Sequence, residues 1–506
     1  MKGGLLVCGT TSDAGKSFFV AGLCRLLARR GVKVAPFKAQ NMALNAAVTA
    51  DGAEISHAQW VQAMAAGVEP EAAMNPVLLK PTSDRTSQVV VMGRPAGVQS
   101  AAEYHGSKPD LLPVVLRALA ELRSRYDVVI CEGAGSPAEI NLLDRDIVNL
   151  PLAHAAGLPA IVVGDIDRGG VFAALHGTVE LLPAHLRCLV RGFVINRLRG
   201  DPALLGDARA ELERRSGVPT LGVLPHVPGA DLDAEDSLTL DGFGAVSEPS
   251  PGAGVEADAD VLDVAAIRWP RVANAGDLDP LRLEPHVRVR WVRSVADLGL
   301  PDLVLLPGSK NTRGDLAWFR STGLADAVDR AAAGGDTAVV AVCAGVQMAG
   351  GPIDDPQGVE GPPGTDRGLG WLPVATRFAG DKVLDRPAGA AVAGPGAGQR
   401  VAGYRIHHGR VRPAGAAAAW LTADDGQAIG WHAGAVCGTT LHGLFEADGF
   451  RAAVLGWAAE RSGKRWRPGG LRFADARMAR LDRIADAIEA HVDLSMLFRI
   501  VEEADR

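Results

Sequence analysis

The stretch Gly9-Thr10-Thr11-Ser12-Asp13-Ala14-Gly15-Lys16-Ser17 carries the residue types that hold a phosphate chain. A glycine-rich turn between a strand and a helix points backbone N–H groups at phosphate oxygens, and the helix dipole adds to the attraction. In such a loop Lys16 reaches the outer phosphates and the Ser17 hydroxyl can ligate Mg²⁺. The expected phosphate-binding residues are therefore Gly9, Thr10, Gly15, Lys16 and Ser17. Metal binding also calls for acidic residues. Glu132 opens Glu132-Gly133-Ala134-Gly135-Ser136 directly after an apolar run. A carboxylate at the carboxyl end of a central strand is where α/β folds place ligand chemistry, so Glu132 joins Ser17 as an expected metal ligand. Asp51, in Thr49-Ala50-Asp51-Gly52-Ala53-Glu54, is the other candidate, set against the plain alternative of a solvated turn.

A second chemistry lies far downstream. Cys343 follows Ala338-Val339-Val340-Ala341-Val342 and precedes Ala344-Gly345-Val346-Gln347. A thiol on a tight turn at a helix N-terminus is pushed toward thiolate by the dipole. Its small neighbours let the backbone bend and offer N–H groups to an oxyanion. Leu306-Pro307-Gly308-Ser309-Lys310 supplies a second such loop, so Gly308 and Ala344 are the expected oxyanion-hole residues. The alternative for Cys343 is a buried structural cysteine. His442, in Gly438-Thr439-Thr440-Leu441-His442-Gly443, tips the balance, because Cys–His pairs are assembled by the fold and not by sequence adjacency. His407 and His408 look like a metal pair, but adjacent residues on an extended chain face opposite ways.

The elements needed to position these residues are legible. Short β-branched runs at 4–7, 33–37, 128–131, 160–163, 188–195 and 219–223 alternate with amphipathic stretches at 18–30, 57–66, 110–125 and 202–216. That alternation predicts a parallel-sheet α/β domain over residues 1–240. Residues 241–259 lose periodicity and fill with Gly, Pro, Ser and Ala, the composition of a linker. A second α/β domain is predicted over 260–455, with strands at 261–267, 287–291, 303–306 and 338–342. Within it, 387–398 reads as a flexible surface excursion, and 456–506 as a C-terminal helical extension.

Composition narrows the function. A chain of 506 residues exceeds what one hydrophobic core normally serves. A net charge of −7 argues against nucleic acid as a partner. No stretch approaches the ~20 apolar residues of a membrane span. The six cysteines are scattered with no C-x-x-C pair, which disfavours a zinc site and suits a reducing, cytoplasmic setting.

Longer strings add specificity. The loop has one more residue between Gly9 and Gly15 than the usual G-x-x-x-x-G-K-S, and in this it resembles the loop of dethiobiotin synthetase and its relatives. Lys38-Ala39-Gln40-Asn41-Met42-Ala43-Leu44-Asn45, Met74-Asn75-Pro76-Val77-Leu78-Leu79-Lys80-Pro81 and Glu132 through Leu142 resemble the cobyric acid synthase family of cobalamin biosynthesis. So do Asp165 through Phe172, Ile195 through Asp201 and Gly403-Tyr404-Arg405-Ile406-His407. The resemblance runs over essentially the whole chain. It implies a dethiobiotin synthetase-like P-loop domain followed by a class I glutamine amidotransferase-like α/β domain. The implied reaction amidates the four remaining peripheral carboxylates (b, d, e and g) of adenosylcobyrinic acid a,c-diamide, using ATP and Mg²⁺ for activation and glutamine for ammonia. The family nucleophile falls on Cys343 and the catalytic histidine on His442. Two departures stand out. Ala344 occupies a position usually held by glycine, and Leu444 the place where many class I amidotransferases carry an acid two residues after the histidine. A Cys–His–Glu triad therefore does not follow from the sequence, and Glu446 is one candidate substitute for that acid. The rival readings are cobyrinic acid a,c-diamide synthase, which lacks most of these strings, and a partition-type P-loop ATPase, which lacks a thiol domain.

Overall fold

The strand Gly3–Gly9 is buried from its second residue onward, so its run of apolar side chains shows no alternation. That is the mark of a strand covered on both faces. In the computed structural model, which describes residues 1–83, 85–230 and 260–505, it is the pivot of a six-stranded parallel sheet. The order is Thr220–Pro225, Val190–Leu198, Ala160–Asp165, Gly3–Gly9, Val128–Glu132, Val34–Phe37. Chain order reverses on either side of Gly3–Gly9, which opens a crevice beyond its carboxyl end. The expected linker at 241–259 lies outside the described residues.

The chain divides into two compact units. The first comprises the described residues of Met1–Ala43, Ala53–Asp233 and Arg477–Arg506, and the second those of Leu44–Gly52 and Ala234–Ala476. Two boundaries differ from the sequence reading. The tail does not form an extension of its own: Leu481, Ile484, Ile488, Leu497 and Val501 are buried with Phe19, Leu23 and Leu27 of the helix Lys16–Arg29. Gly22 lets this packing close up, since a Cβ there would come within 2.4 Å of the Ile484 Cγ2. The other surprise is residues 44–52, which lie early in the chain and belong to the second unit.

Smaller corrections have local causes. The helix predicted from 110 begins at Ala101, because Ser100 and Glu103 form a reciprocal capping box. The helix predicted over 202–216 is split by Gly206 into the 3₁₀ turn Pro202–Leu205 and the helix Ala208–Ser216. Gln40–Met42, Val77–Pro81, Thr86–Val91 and Arg94–Ser100 form a four-stranded sheet that is absent from the strands predicted by the apolar runs.

In the second unit a seven-stranded sheet runs Val287–Val292, Leu262–Ile267, Leu303–Leu306, Ala338–Val342, Val436–Thr439, Gly430–Ala433, Ala418–Ala419. The first five strands pair in parallel, and the last two pairings, of Gly430–Ala433 with Val436–Thr439 and of Ala418–Ala419 with Gly430–Ala433, are antiparallel. Apolar clusters cover both faces, one around Trp269 and Phe319, the other around Trp420, Phe445 and Phe450. The excursion expected at 387–398 is instead ordered. Ala388–Ala391 is the central strand of a small antiparallel sheet with Arg400–Ala402 and Leu421–Ala423. Its glycine serves close approach: a Cβ on Gly389 would come within 2.2 Å of the Thr422 carbonyl oxygen. No helix among the described residues is long and apolar enough to cross a membrane.

The packing of the tail makes a prediction. Ile484→Ala, at a fully buried position, should destabilise the first unit by about 2–5 kcal/mol, the range for a truncation that leaves a cavity. Urea unfolding followed by tryptophan fluorescence measures it. An unchanged midpoint would mean that the tail does not share the first unit's core.

Candidate active sites

At the carboxyl end of Gly3–Gly9 the chain turns through Gly15 at φ 99° and enters the helix Lys16–Arg29. A side chain at Gly15 is excluded twice, by this left-handed backbone and by the Asn196 Nδ2, which a Cβ would approach to 2.0 Å. Asn196 Nδ2 donates to the Ala14 carbonyl at 3.1 Å. Arg197 donates to the Asp13 carbonyl at 2.9 Å and pairs with Asp165 at 2.8 Å, so the strand Val190–Leu198, two places along the sheet from Gly3–Gly9, braces the loop. Lys16 Nζ curls back to the carbonyls of Thr11 at 2.8 Å, Ser12 at 2.9 Å and Gly135 at 3.3 Å. One expected contact is used otherwise. The Thr10 N–H donates to the Val163 carbonyl at 2.9 Å, because sheet pairing continues one residue past Gly9.

Glu132 is buried beside this loop. Its Oε1 accepts from Ser17 Oγ at 2.9 Å and from Lys38 Nζ at 2.7 Å, and its Oε2 accepts from Gln62 Nε2 at 2.5 Å. A buried carboxylate is tolerable when it is both paired and hydrogen-bonded in this way. The two expected metal ligands, Ser17 and Glu132, are thus in direct contact. Asp51 belongs to residues 44–52 of the second unit, where its carboxylate accepts from Thr49 Oγ1.

Cys343 follows the central strand Ala338–Val342 and caps the short helix Ala344–Ala349 with φ 54° and ψ −107°. For a residue with a Cβ this backbone is strained, and such strain gathers at functional sites. Gly345 must be glycine, since a Cβ there would lie 2.2 Å from the Leu306 carbonyl oxygen. His442 is buried and hydrogen-bonds Cys343. Its other side meets an acid that lies 165 positions upstream. Asp277 Oδ2 pairs with His442 Nδ1 at 2.7 Å, and Asp277 Oδ1 accepts from the Gly443 N–H at 2.7 Å. Burial alone would push the His442 imidazole down. The nearby charges of Asp277 and Cys343, with hydrogen bonds to both, outweigh burial and lift it to about 10.

The acid beside His442 is thus Asp277 and not Glu446, which lies on the turn Leu444–Glu446. Tyr404 stacks on the His442 ring with centroids 5.3 Å apart. Gly308 lies against the same ring, a Cβ there reaching within 2.9 Å of His442 Cε1, and Ala344 opens the helix after the thiol. His407 and His408 do not converge: His407 Nδ1 bonds the Gly409 carbonyl at 2.7 Å and His408 Nδ1 the Ala379 carbonyl at 3.1 Å. Burial pushes the His407 ring down to about 3, leaving it neutral. Among the described residues no group of three or more His, Cys, Asp or Glu side chains is placed to hold a metal.

Sequence reasoning missed Lys38, Gln62, Asn196 and Asp277. Lys38 and Asn196 lie inside the strings quoted for the resemblance and had a signal. Gln62 sits in an amphipathic helix and Asp277 in a short turn, and neither is marked by local spacing.

Known proteins are similar to both parts of this chain. Residues 5–239 match the CobQ/CobB/MinD/ParA nucleotide binding domain, and residues 263–450 the CobB/CobQ-like glutamine amidotransferase domain. A cobyric acid synthase of Streptomyces avermitilis is 50% identical, covering 99% of this chain and 97% of the relative. The chain belongs to the cobyric acid synthase family. A cobyric acid synthase of Rhodococcus jostii is 52% identical over 98% of the chain and 95% of its own length, and one of Frankia casuarinae 50% identical over 99% and 97%. The matched spans place the phosphate loop and Glu132 in the nucleotide-binding domain of this family, and Cys343, His442 and Asp277 in its amidotransferase domain.

The His442–Asp277 pair sets a pH dependence. If His442 donates a proton during glutamine hydrolysis, activity is lost as pH rises through its pKa near 10. Asp277→Asn removes the acid that raises it, so the alkaline limb should move to lower pH and kcat should fall about 10²-fold or more. An unchanged limb in the folded variant would detach Asp277 from the catalytic histidine.

Proposed function

We propose that this protein converts the four remaining peripheral carboxylates (b, d, e and g) of adenosylcobyrinic acid a,c-diamide to amides, each with one ATP and one glutamine. The observation that carries the reading is the strained thiol of Cys343 hydrogen-bonded to the buried His442–Asp277 pair, in the same chain as a braced phosphate loop. Full-length similarity to cobyric acid synthases supports the choice of acceptor.

In the synthetase reaction a corrinoid carboxylate oxygen attacks the γ-phosphorus of ATP, and the bond to ADP breaks. Lys16 and the N-terminal amides of its helix stabilise charge on the transferred group. The product acyl phosphate is attacked by ammonia at carbon, and inorganic phosphate leaves. Ser17 and Glu132 are hard oxygen donors suited to Mg²⁺, and together they would hold it. That ion would supply charge neutralisation around the phosphates.

In the glutaminase reaction Cys343 Sγ attacks the side-chain carboxamide carbon of glutamine. The oxyanion that forms faces the N–H groups of Ala344 and Gly308; first-turn amides such as that of Ala344 lack an intrahelical partner. His442 gives its proton to the departing ammonia, then takes one from the water that cleaves the thioester to glutamate. Asp277 keeps the ring in the orientation and charge state this requires. The scattered cysteines and the small-molecule substrates fit a reducing cytoplasm.

Two predictions separate the halves. Lys16→Ala should abolish ATP-dependent amidation, the loss of several kcal/mol of transition-state stabilisation, while glutamine hydrolysis by the folded variant persists. Near-normal amidation at saturating ATP would remove the loop from the reaction. Conversely, Cys343→Ser and His442→Ala should lose glutamine-driven amidation and keep amidation driven by ammonium salt at high pH. Glutamine-driven turnover in Cys343→Ser would mean that another residue is the nucleophile.

A further inference from the structure

Asp277 can orient His442 only if its own turn is held still. It lies on the 3₁₀ turn Ala275–Leu278, whose cap Asn274 adopts the left-handed conformation at φ 55°. A four-residue turn has little internal hydrogen bonding: the Asp277 N–H bonds the Asn274 carbonyl at 3.2 Å, and the N–H of Ala275 has no partner within the turn. That donor is satisfied from a distant part of the chain. Ala275 N–H donates to the Asn45 side-chain carbonyl at 3.3 Å, and in return Ala46 N–H donates to the Asn274 side-chain carbonyl at 2.9 Å. Asn45, Asn274 and Asp277 are all at most 5% exposed, so water does not substitute for these bonds.

We infer that Asn45 and Asn274 are a reciprocal clasp that positions Asp277, and through it His442, for glutamine hydrolysis. Asn45 belongs to residues 44–52, which the chain supplies from between two stretches of the nucleotide-binding unit. The glutaminase site is thus completed by a residue outside the matched amidotransferase span of 263–450. Each partner suits its role. Asparagine tolerates the left-handed conformation that Asn274 adopts, and in both residues the amide carbonyl mimics a backbone acceptor. Each Asp277 oxygen is already committed, one to Gly443 and one to His442. Any tilt of the turn therefore reaches the histidine directly.

The inference rests on the glutaminase reading above, and the experiment distinguishes the two. Glutamine hydrolysis by the full chain is measured for wild type, Cys343→Ser, Asn45→Ala, Asn274→Gly, Asp277→Asn and the Asn45→Ala/Asp277→Asn double variant. Glycine at 274 keeps the left-handed backbone while removing the side chain, which provides a second probe should Asn45→Ala fail to fold. The expected result is a kcat lower by on the order of 10- to 100-fold in each clasp variant, as for a misplacement of about an ångström. KM for glutamine should stay within about twofold, and the alkaline limb should move to lower pH, as in Asp277→Asn. The double variant should be no slower than Asp277→Asn alone, because a residue that acts only through Asp277 has nothing left to position. Losses that multiply in the double variant, or folded clasp variants with wild-type kcat and pH profile, would overturn the inference and leave the glutaminase reading intact. Hydrolysis that survives Cys343→Ser would instead overturn the glutaminase reading itself.

Discussion

Both chemistries depend on one backbone constraint, the sharp exit from the carboxyl end of a buried parallel strand into a helix. Gly3–Gly9 leaves its sheet through Gly15 at φ 99°, and Ala338–Val342 leaves its own through Cys343 at φ 54°. The turn brings helix N-terminal amides and a reactive side chain to the same point, at the edge where parallel strands end. In the first case glycine removes the strain and the amides serve an anion. In the second a buried cysteine carries the strain, and its thiol sits at the apex of the turn beside the N-terminus of the helix Ala344–Ala349. Close packing keeps both turns in place: Asn196 fills the space beside Gly15, and the Leu306 carbonyl the space beside Gly345.

Buried charge is the second organising factor. Glu132 and Asp277 are each shielded from water, and each is held by a cation or imidazole together with a neutral donor. Removing one partner of a buried pair typically costs about 3–5 kcal/mol, so these groups stabilise their surroundings while tuning reactivity. For His442 the sign follows from its raised pKa. The folded state holds the proton more tightly than the unfolded chain. The stabilisation is therefore complete below the unfolded value of about 6.5 and is lost as pH rises through about 10. A glutaminase that works at neutral pH lies where much of that stabilisation remains.

Most of this was legible in the chain. Continuous apolar runs gave the buried strands, glycines and small residues gave both turns, and long family-like strings gave the substrate class. What stayed hidden was non-local. Asp277 meets His442 across 165 positions and sits in a turn with no periodicity, whereas the nearer Glu446 had only proximity in its favour. The Gly and Ala of residues 387–398 have the composition of a flexible segment, yet their small size serves a tight sheet. The final helices looked like an appendage because their apolar faces match the helix Lys16–Arg29, a pairing visible only once the fold is formed.

The central claim is that nitrogen released at Cys343 ends on a carboxylate activated by ATP. It is tested most directly by supplying glutamine labelled with ¹⁵N in the side-chain amide, with ATP and the corrinoid a,c-diamide. Label in the product is then counted by mass spectrometry alongside ADP formed. The account predicts four labelled amides in the finished product and one ADP for each. An unlabelled product, or labelled amides formed without matching ADP, would contradict it.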